Sequence, residues 1–356
     1  MGSVTGFQAE SPLHPKAREV LLAAFDQGWA DPRKIHQASR KTALLRDEAR
    51  EKIAHLLELH PNHLHFLGEA ALGFHLGING LSSPDKHLYF PAISRQETFA
   101  AAQWHQARGG SATELKSNLE GEVLGLPTGS PDDLLAWQVI NGETGIRSAD
   151  PINFTGRIFL DATSTSTGNA GPWDTALWDS GTWGGPKGLG IFANRSAEKW
   201  RNPLPHLDSR VVPGDRSIPL VLASAVALEQ WREEEKLRHS TLRTFNERIR
   251  HFITTEIGDV DIAGSPSSML IGEPGKLSFS FLYIDAERLV SELDRRGYAV
   301  DSGSACSSLE MRPSHVLSAM GLLTQGNIRL TLKNEHSDEY ITGFLTALKE
   351  CVSELR

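Results

Sequence analysis

Cys306 sits where a nucleophile would be presented. It lies in Ser302-Gly303-Ser304-Ala305-Cys306-Ser307-Ser308, a run of small residues that follows Asp301 and precedes an apolar helical pattern. The thiolate is the reactive form of cysteine, so a thiol in a short polar loop suits attack on something outside the core. An inert loop thiol is the plain alternative, and the surrounding elements decide between the two. The other cysteine, Cys351, follows the apolar rhythm of the last helix and reads as packing. Two further groups have the chemistry to hold a ligand. Asp161 follows Ile158-Phe159-Leu160 at the C-terminal end of a strand, the edge where open α/β sheets take ligands. Arg329, in Ile328-Arg329-Leu330-Thr331-Leu332, suits either a carboxylate clamp or a structural ion pair. His63 and His65 alternate on a strand with no third ligand at useful spacing, so no metal site is read from them. His36 and Arg40 read as holding a helix–loop junction.

The chain around these groups is 356 residues long, 39% hydrophobic and 22% charged. That is an ordinary soluble composition, with room for one large domain and a smaller one. The net charge is -8 and no basic cluster is present, which argues against a nucleic-acid partner. No apolar run approaches the roughly 20 residues of a membrane span. The first residues lack the order of a signal peptide. Two cysteines make no disulfide framework and point to a reducing, cytoplasmic setting.

Helical patterns fall at 15–28, 37–59, 70–81 and 97–107, with strand patterns at 63–67, 87–90, 135–140, 158–160 and 189–193. Short apolar strands alternating with helices predict a parallel sheet covered on both faces. Residues 217–255 are helical, apolar first and charged later, as suits a connector leaving the large domain. Beyond it come a strand at 276–284, a helix at 285–296, the cysteine loop, a helix at 312–320, a strand at 327–332 and a helix at 337–355. This set predicts a smaller α+β unit.

In this order the motifs resemble the cysteine desulfurases, the NifS/IscS-like branch of the class V aminotransferases. SGSACSSLEMRPSHVLSAMG (302–321) is similar to the family's persulfide-forming loop and the helix after it. DPRKIHQASRKT (31–42) is similar to its N-P-S-S-x-H-x-x-G-R-x-A, and GPKGLG (185–190) to its G-P-x-G-x-G turn. The resemblance implies the fold type I architecture of pyridoxal-phosphate enzymes. That is an α/β fold with a large domain (13–240) around a mostly parallel seven-stranded sheet. A smaller α+β domain is built from 1–12 and 241–356, and the protein is a homodimer. It implies a reaction as well: the cofactor acts as electron sink, a thiolate takes the sulfur of bound cysteine, and alanine and a protein persulfide result. Cys306 is then the nucleophile and Asp161 the partner of the pyridine nitrogen. Asn141, in Asn141-Gly142-Glu143-Thr144-Gly145, and Ser164 bind the cofactor, and Arg329 clamps the substrate carboxylate.

Several of the family's cofactor contacts differ. Counting back from Gly185 puts Thr182 at the Schiff-base lysine, and a one-residue shift puts Trp183 there. Lys187 lies inside the G-P-x-G turn itself. Thr98 stands for the stacking histidine. Glu69-Ala70-Ala71 replaces G-A-T, which sets a carboxylate where a phosphate would sit. Residues 212–216 replace the R-x-G-T that lends a phosphate contact across the dimer. Trp173, Trp178 and Trp183 crowd a glycine-rich region and read as filling the space of the cofactor ring. The expectation is a desulfurase-like protein in sulfur transfer, with Cys306 as persulfide acceptor or relay and a sulfur donor or acceptor protein as partner. Lysine-dependent pyridoxal-phosphate chemistry is lost or impaired, and the cofactor is held non-covalently if at all. Two readings stay open beside it: a non-catalytic homologue pairing with an active relative, and a pyridoxal-phosphate desulfurase that uses another lysine.

Overall fold

The computed structural model describes residues 6–10, 12–167, 171–206, 211, 217–265, 272–303 and 313–356. The first half of the chain forms α1 (Pro15–Gln27), α2 (Gln37–Leu56), β1 (Leu64–Leu67), α3 (Ala70–Phe74), β2 (His87–Pro91), α4 (Gln96–Ala107), β3 (Ser111–Leu115), β4 (Leu134–Gln138) and β5 (Arg157–Asp161). The second half forms β6 (Thr175–Asp179), β7 (Gly190–Asn194), α5 (Ile218–Glu233), α6 (Glu235–Phe252), β8 (Val260–Ile262), β9 (Lys276–Phe281), α7 (Ala286–Arg295), α8 (His315–Met320), β10 (Asn327–Thr331) and α9 (Asp338–Leu355).

Local chemistry sets several boundaries. Pro15 opens α1, where its missing N–H costs nothing, and Gly28 at φ 67° stops it. The backbone N–H of Ser39 donates to His36 Nδ1 at 3.3 Å, which caps α2, while Arg40 reaches the Ile35 carbonyl at 3.3 Å. These two residues therefore do hold the junction. After α3 the helix widens into a π-type turn, His75–Asn79. Gly73 and Gly77 let it lie directly on Leu177 and Phe159, where a Cβ would collide.

Seven strands form one sheet in the order β1-β7-β6-β5-β4-β2-β3. β2 to β6 run parallel, and β7 is antiparallel to both neighbours. The inner strands β4 to β7 are apolar on both faces because both faces are covered, whereas the edge strand β3 is mostly exposed. Leu135, Trp137, Ile158, Leu160, Ala176 and Trp178 point into a core shared with α1, α2 and α5. Ala136, Phe159, Leu177 and Phe192 point the other way, onto α3 and α4. α5 is apolar on most sides because it lies beneath α1 and α2.

A second sheet, in the order β10-β9-β8, is antiparallel. It shares a separate core with α6, α7 and α9. Phe7 belongs to this core although it stands at the start of the chain: it is fully buried, with ring centroids 4.7 Å from His336 and 4.5 Å from Phe344. Cys351 is buried in the same core. Among the described residues no helix is long and apolar enough to cross a membrane.

Candidate functional site

Parallel strands leave their C-terminal ends along one edge, and β5 delivers Asp161 there. Its carboxylate is buried. Oδ1 accepts from the Thr163 N–H at 3.0 Å and from the Thr163 hydroxyl at 2.6 Å. Oδ2 accepts from Gln138 Nε2 at 3.2 Å, because Gln138 stands beside Asp161 in the β4–β5 register. Arg95 completes the surroundings from the turn after β2. Its Nε lies 3.9 Å from Asp161 Oδ2, and its Nη2 donates to Ser164 Oγ at 3.2 Å. Burial pushes the Asp161 carboxyl up from its ordinary range, against the opposing pull of Arg95 and the hydrogen bonds. Arg95 has no role in the sequence reading. The available signal was a long cation just past the C-terminal end of a buried strand.

Asn141 is buried and its amide is committed locally. Nδ2 donates to the Ile93 carbonyl at 2.8 Å and to Gln138 Oε1 at 3.1 Å. Oδ1 accepts from the N–H groups of Glu143 and Thr144, each at 3.0 Å. The residue thus closes the turn after β4 and ties it to the end of β2.

Thr182 lies on a 3-10 turn, Ser180–Trp183, between β6 and β7. Its hydroxyl donates to the Thr163 carbonyl at 2.5 Å, so it abuts the turn that carries Asp161. Trp183 points the opposite way, fully buried, with Nε1 3.4 Å from Ser224 Oγ on α5. Lys187 is exposed, 3.7 Å from Glu10. Trp173, Trp178 and Trp183 all belong to the core under α5, and the cation that meets Asp161 is Arg95. A cavity of about 200 Å³ opens beside Thr182, lined also by Thr165, Thr167, Arg147, His239 and Glu273.

Arg329 on β10 faces this edge from the second sheet. Its Nη2 donates to the Ser302 carbonyl at 2.7 Å, and Nη1 lies 3.6 Å from Glu143 Oε2. The Ser314 hydroxyl donates to Glu143 Oε1 at 2.7 Å. The Gly303 N–H donates to Asn327 Oδ1 at 2.9 Å. Cys306 itself lies outside the described residues, but both flanks of its segment are held by Glu143 and Arg329. One further cation stands on the same face as Arg329: Lys276 of β9 donates from Nζ to Thr331 Oγ1 at 3.0 Å. Desolvation, with Arg95 and Arg329 adding to it, lowers the Lys276 pKa to about 8 against the opposing pull of Glu273 and Asp301. The buried Nε–H groups of Arg95 and Arg329 meet no hydrogen-bond acceptor. Among the described residues, no three His, Cys, Asp or Glu side chains are grouped to hold a metal.

No family model matches the chain. It is similar in sequence to the cysteine desulfurase IscS of Dictyoglomus turgidum, 25% identical over 98% of this chain and 94% of that protein. The human cysteine desulfurase is 24% identical over 98% of this chain and 80% of its own. Among solved structures, a NifS-like protein superposes with a TM-score of 0.86 at 20% identity, covering 98% of this chain and 99% of the other. DndA from Streptomyces lividans superposes with a TM-score of 0.74 at 20% identity, covering 93% and 98%. The fold is therefore that of the NifS-like proteins.

Proposed function

We propose that this chain, a homologue of the NifS/IscS-like cysteine desulfurases along 98% of its length, is a sulfur-transfer protein whose working group is Cys306. The observation that carries the reading is the pinning of both flanks of the Cys306 segment. Ser302 is held by Arg329, Ser314 by Glu143, and Arg329 and Glu143 lie 3.6 Å apart. A segment anchored at both feet beside the carboxyl edge of the large sheet starts and ends where a sulfur donor would dock. The step is an exchange. The Cys306 thiolate attacks the terminal sulfur of a donor persulfide, and a new S–S bond forms at Cys306. The donor's S–S bond breaks, and the electron pair leaves on the donor thiolate. An acceptor thiolate then takes the same sulfur in the same way, with no net oxidation. Lysine-dependent chemistry has no part in it, a reading supported by the residues that align with the family's lysine, Thr182 or in the shifted register Trp183, neither of which carries an amine. The protein acts as a homodimer.

The experiment is to load purified protein with a small persulfide donor, locate the added sulfur by mass spectrometry, and then offer a thiol acceptor. Sulfur on Cys306 that passes to the acceptor is the expected result. Equal transfer by Cys306→Ser would end the relay reading. A second reading, desulfuration through another lysine, is favoured by one observation: the half-buried Lys276 amine on the same face as Arg329, with its lowered pKa. It requires a pyridoxal-phosphate adduct that borohydride fixes on Lys276, and peptide mapping decides it.

A further inference from the structure

We infer that Arg95 takes the place of the cofactor's pyridinium as the counter-ion of Asp161, and so closes the ring site of this chain to pyridoxal phosphate. A buried carboxylate is costly unless a charge and hydrogen bonds meet it. Asp161 is buried at the end of β5, the position whose partner in the resembled family is a protonated ring nitrogen. Here the cation within ion-pair distance is the Arg95 guanidinium, with Nε at 3.9 Å. The same group spans to Ser164 Oγ at 3.2 Å. It also lies against Gly142, where a Cβ would sit 3.0 Å from Nη2 and 2.8 Å from Ser164 Oγ, so the absence of a side chain there leaves room for it. Arg95 is fixed at its root as the residue that precedes α4. A guanidinium cannot give up its charge at any working pH. A pyridinium entering this place would set two cations on one carboxylate, and Arg95 would have to leave first.

Among the described residues, the others at this place do not fit the group either. Thr182 offers no amine, and its hydroxyl is taken by the Thr163 carbonyl. The Asn141 amide is spent on the turn after β4. Glu69 precedes α3 with an exposed carboxylate where a phosphate would need donors. Asp161 is thus kept as the anchor of an internal ion pair. The inference rests on the part of the proposed function that sets lysine-dependent chemistry aside, and it is independent of Cys306.

The test uses pyridoxine 5′-phosphate, which carries the ring and the phosphate but no aldehyde, so that adducts with stray lysines cannot mimic binding. Equilibrium dialysis is run on the full-length wild type, Arg95→Ala and Arg95→Gln, with circular dichroism to confirm folding. The wild type is expected to show no saturable binding, and removal of the guanidinium to tighten binding by at least roughly tenfold. Saturable wild-type binding that either substitution leaves unchanged or weakens overturns the inference. So does an absence of gain in the folded variants. If Arg95→Ala does not fold, Arg95→Gln, which keeps most of the side-chain volume, gives the answer. Sulfur loading of Cys306 on the same preparations separates the two proposals, because its failure would remove the relay and leave the Arg95 result standing.

Discussion

Ser314 donates its hydroxyl to Glu143 Oε1 at 2.7 Å, across 171 positions of sequence. The same hydroxyl oxygen accepts the Leu317 N–H at 3.2 Å and so caps α8. One serine therefore fixes both a helix start and the exit of the Cys306 segment onto the large sheet's edge. Glu143→Ala removes this bond and the carboxylate that faces Arg329, and leaves Ser314 and Arg329 each short of a partner. The expected cost is about 1–3 kcal/mol in a denaturant melt. Sulfur loading of Cys306 should slow as well. Unchanged loading with a lowered midpoint would reduce Glu143 to a structural residue.

Phe7 is the test of which residues form the smaller unit. Its N–H donates to the Ala299 carbonyl at 2.7 Å, and its carbonyl accepts from the Thr331 N–H at 2.6 Å. The proposed unit of residues 1–12 with 241–356 makes Phe7 part of a core that holds none of the eight tryptophans, all of which lie between Trp29 and Trp231. Phe7→Ala is expected to cost about 3–5 kcal/mol of that core's stability. The transition followed by far-ultraviolet circular dichroism should therefore shift more than the one followed by tryptophan fluorescence. Equal shifts by both probes would mean that the two cores unfold together.

Much of this architecture is legible in the sequence, because strands buried on both faces read as apolar runs and helix ends carry their own chemistry. Pro15, Gly28 and His36 mark boundaries that the structure keeps, while the helix expected from 312 starts only at His315, capped by Ser314. β3 is not legible: Ser111-Ala112-Thr113-Glu114-Leu115 is an edge strand, mostly exposed, with no apolar run to announce it. β6 hides for a different reason, since its tryptophan sits among others in a glycine-rich stretch that also suits pocket filling. Arg95 and Lys276 escape sequence reading because their importance lies in what they meet. A cation is ordinary on a surface, and only tertiary placement brings these two toward Asp161 and Arg329.

Lys276 gives the protein a pH signature. Its pKa falls from 10.5 to about 8 on folding, so between those values the unfolded chain binds more protons than the folded one. Stability from this group must then rise as pH increases through that window, by about 3 kcal/mol at most. Below pH 8 the full cost of burying the ammonium is present. Lys276→Met should stabilise the protein at pH 7 and flatten the rise between pH 8 and 10 in a series of chemical melts. A wild-type profile that is already flat there would show that solvent reaches the amine.

Thr182→Lys asks whether the lysine alone is what this site lacks. The substitution gives up the hydroxyl bond to the Thr163 carbonyl, at about 0.5–1.5 kcal/mol. The longer side chain has space, because the cavity of about 200 Å³ opens beside this position. If Arg95 holds the ring site closed, the single variant should mix with pyridoxal phosphate without a new absorbance band. Thr182→Lys combined with Arg95→Ala should then give a band that borohydride fixes, with the added mass mapping to position 182. The single variant forming that adduct as readily as the double would mean that Arg95 is no obstacle, and the lysine the one missing part. An adduct on Lys276 in the wild type would instead favour desulfuration through another lysine.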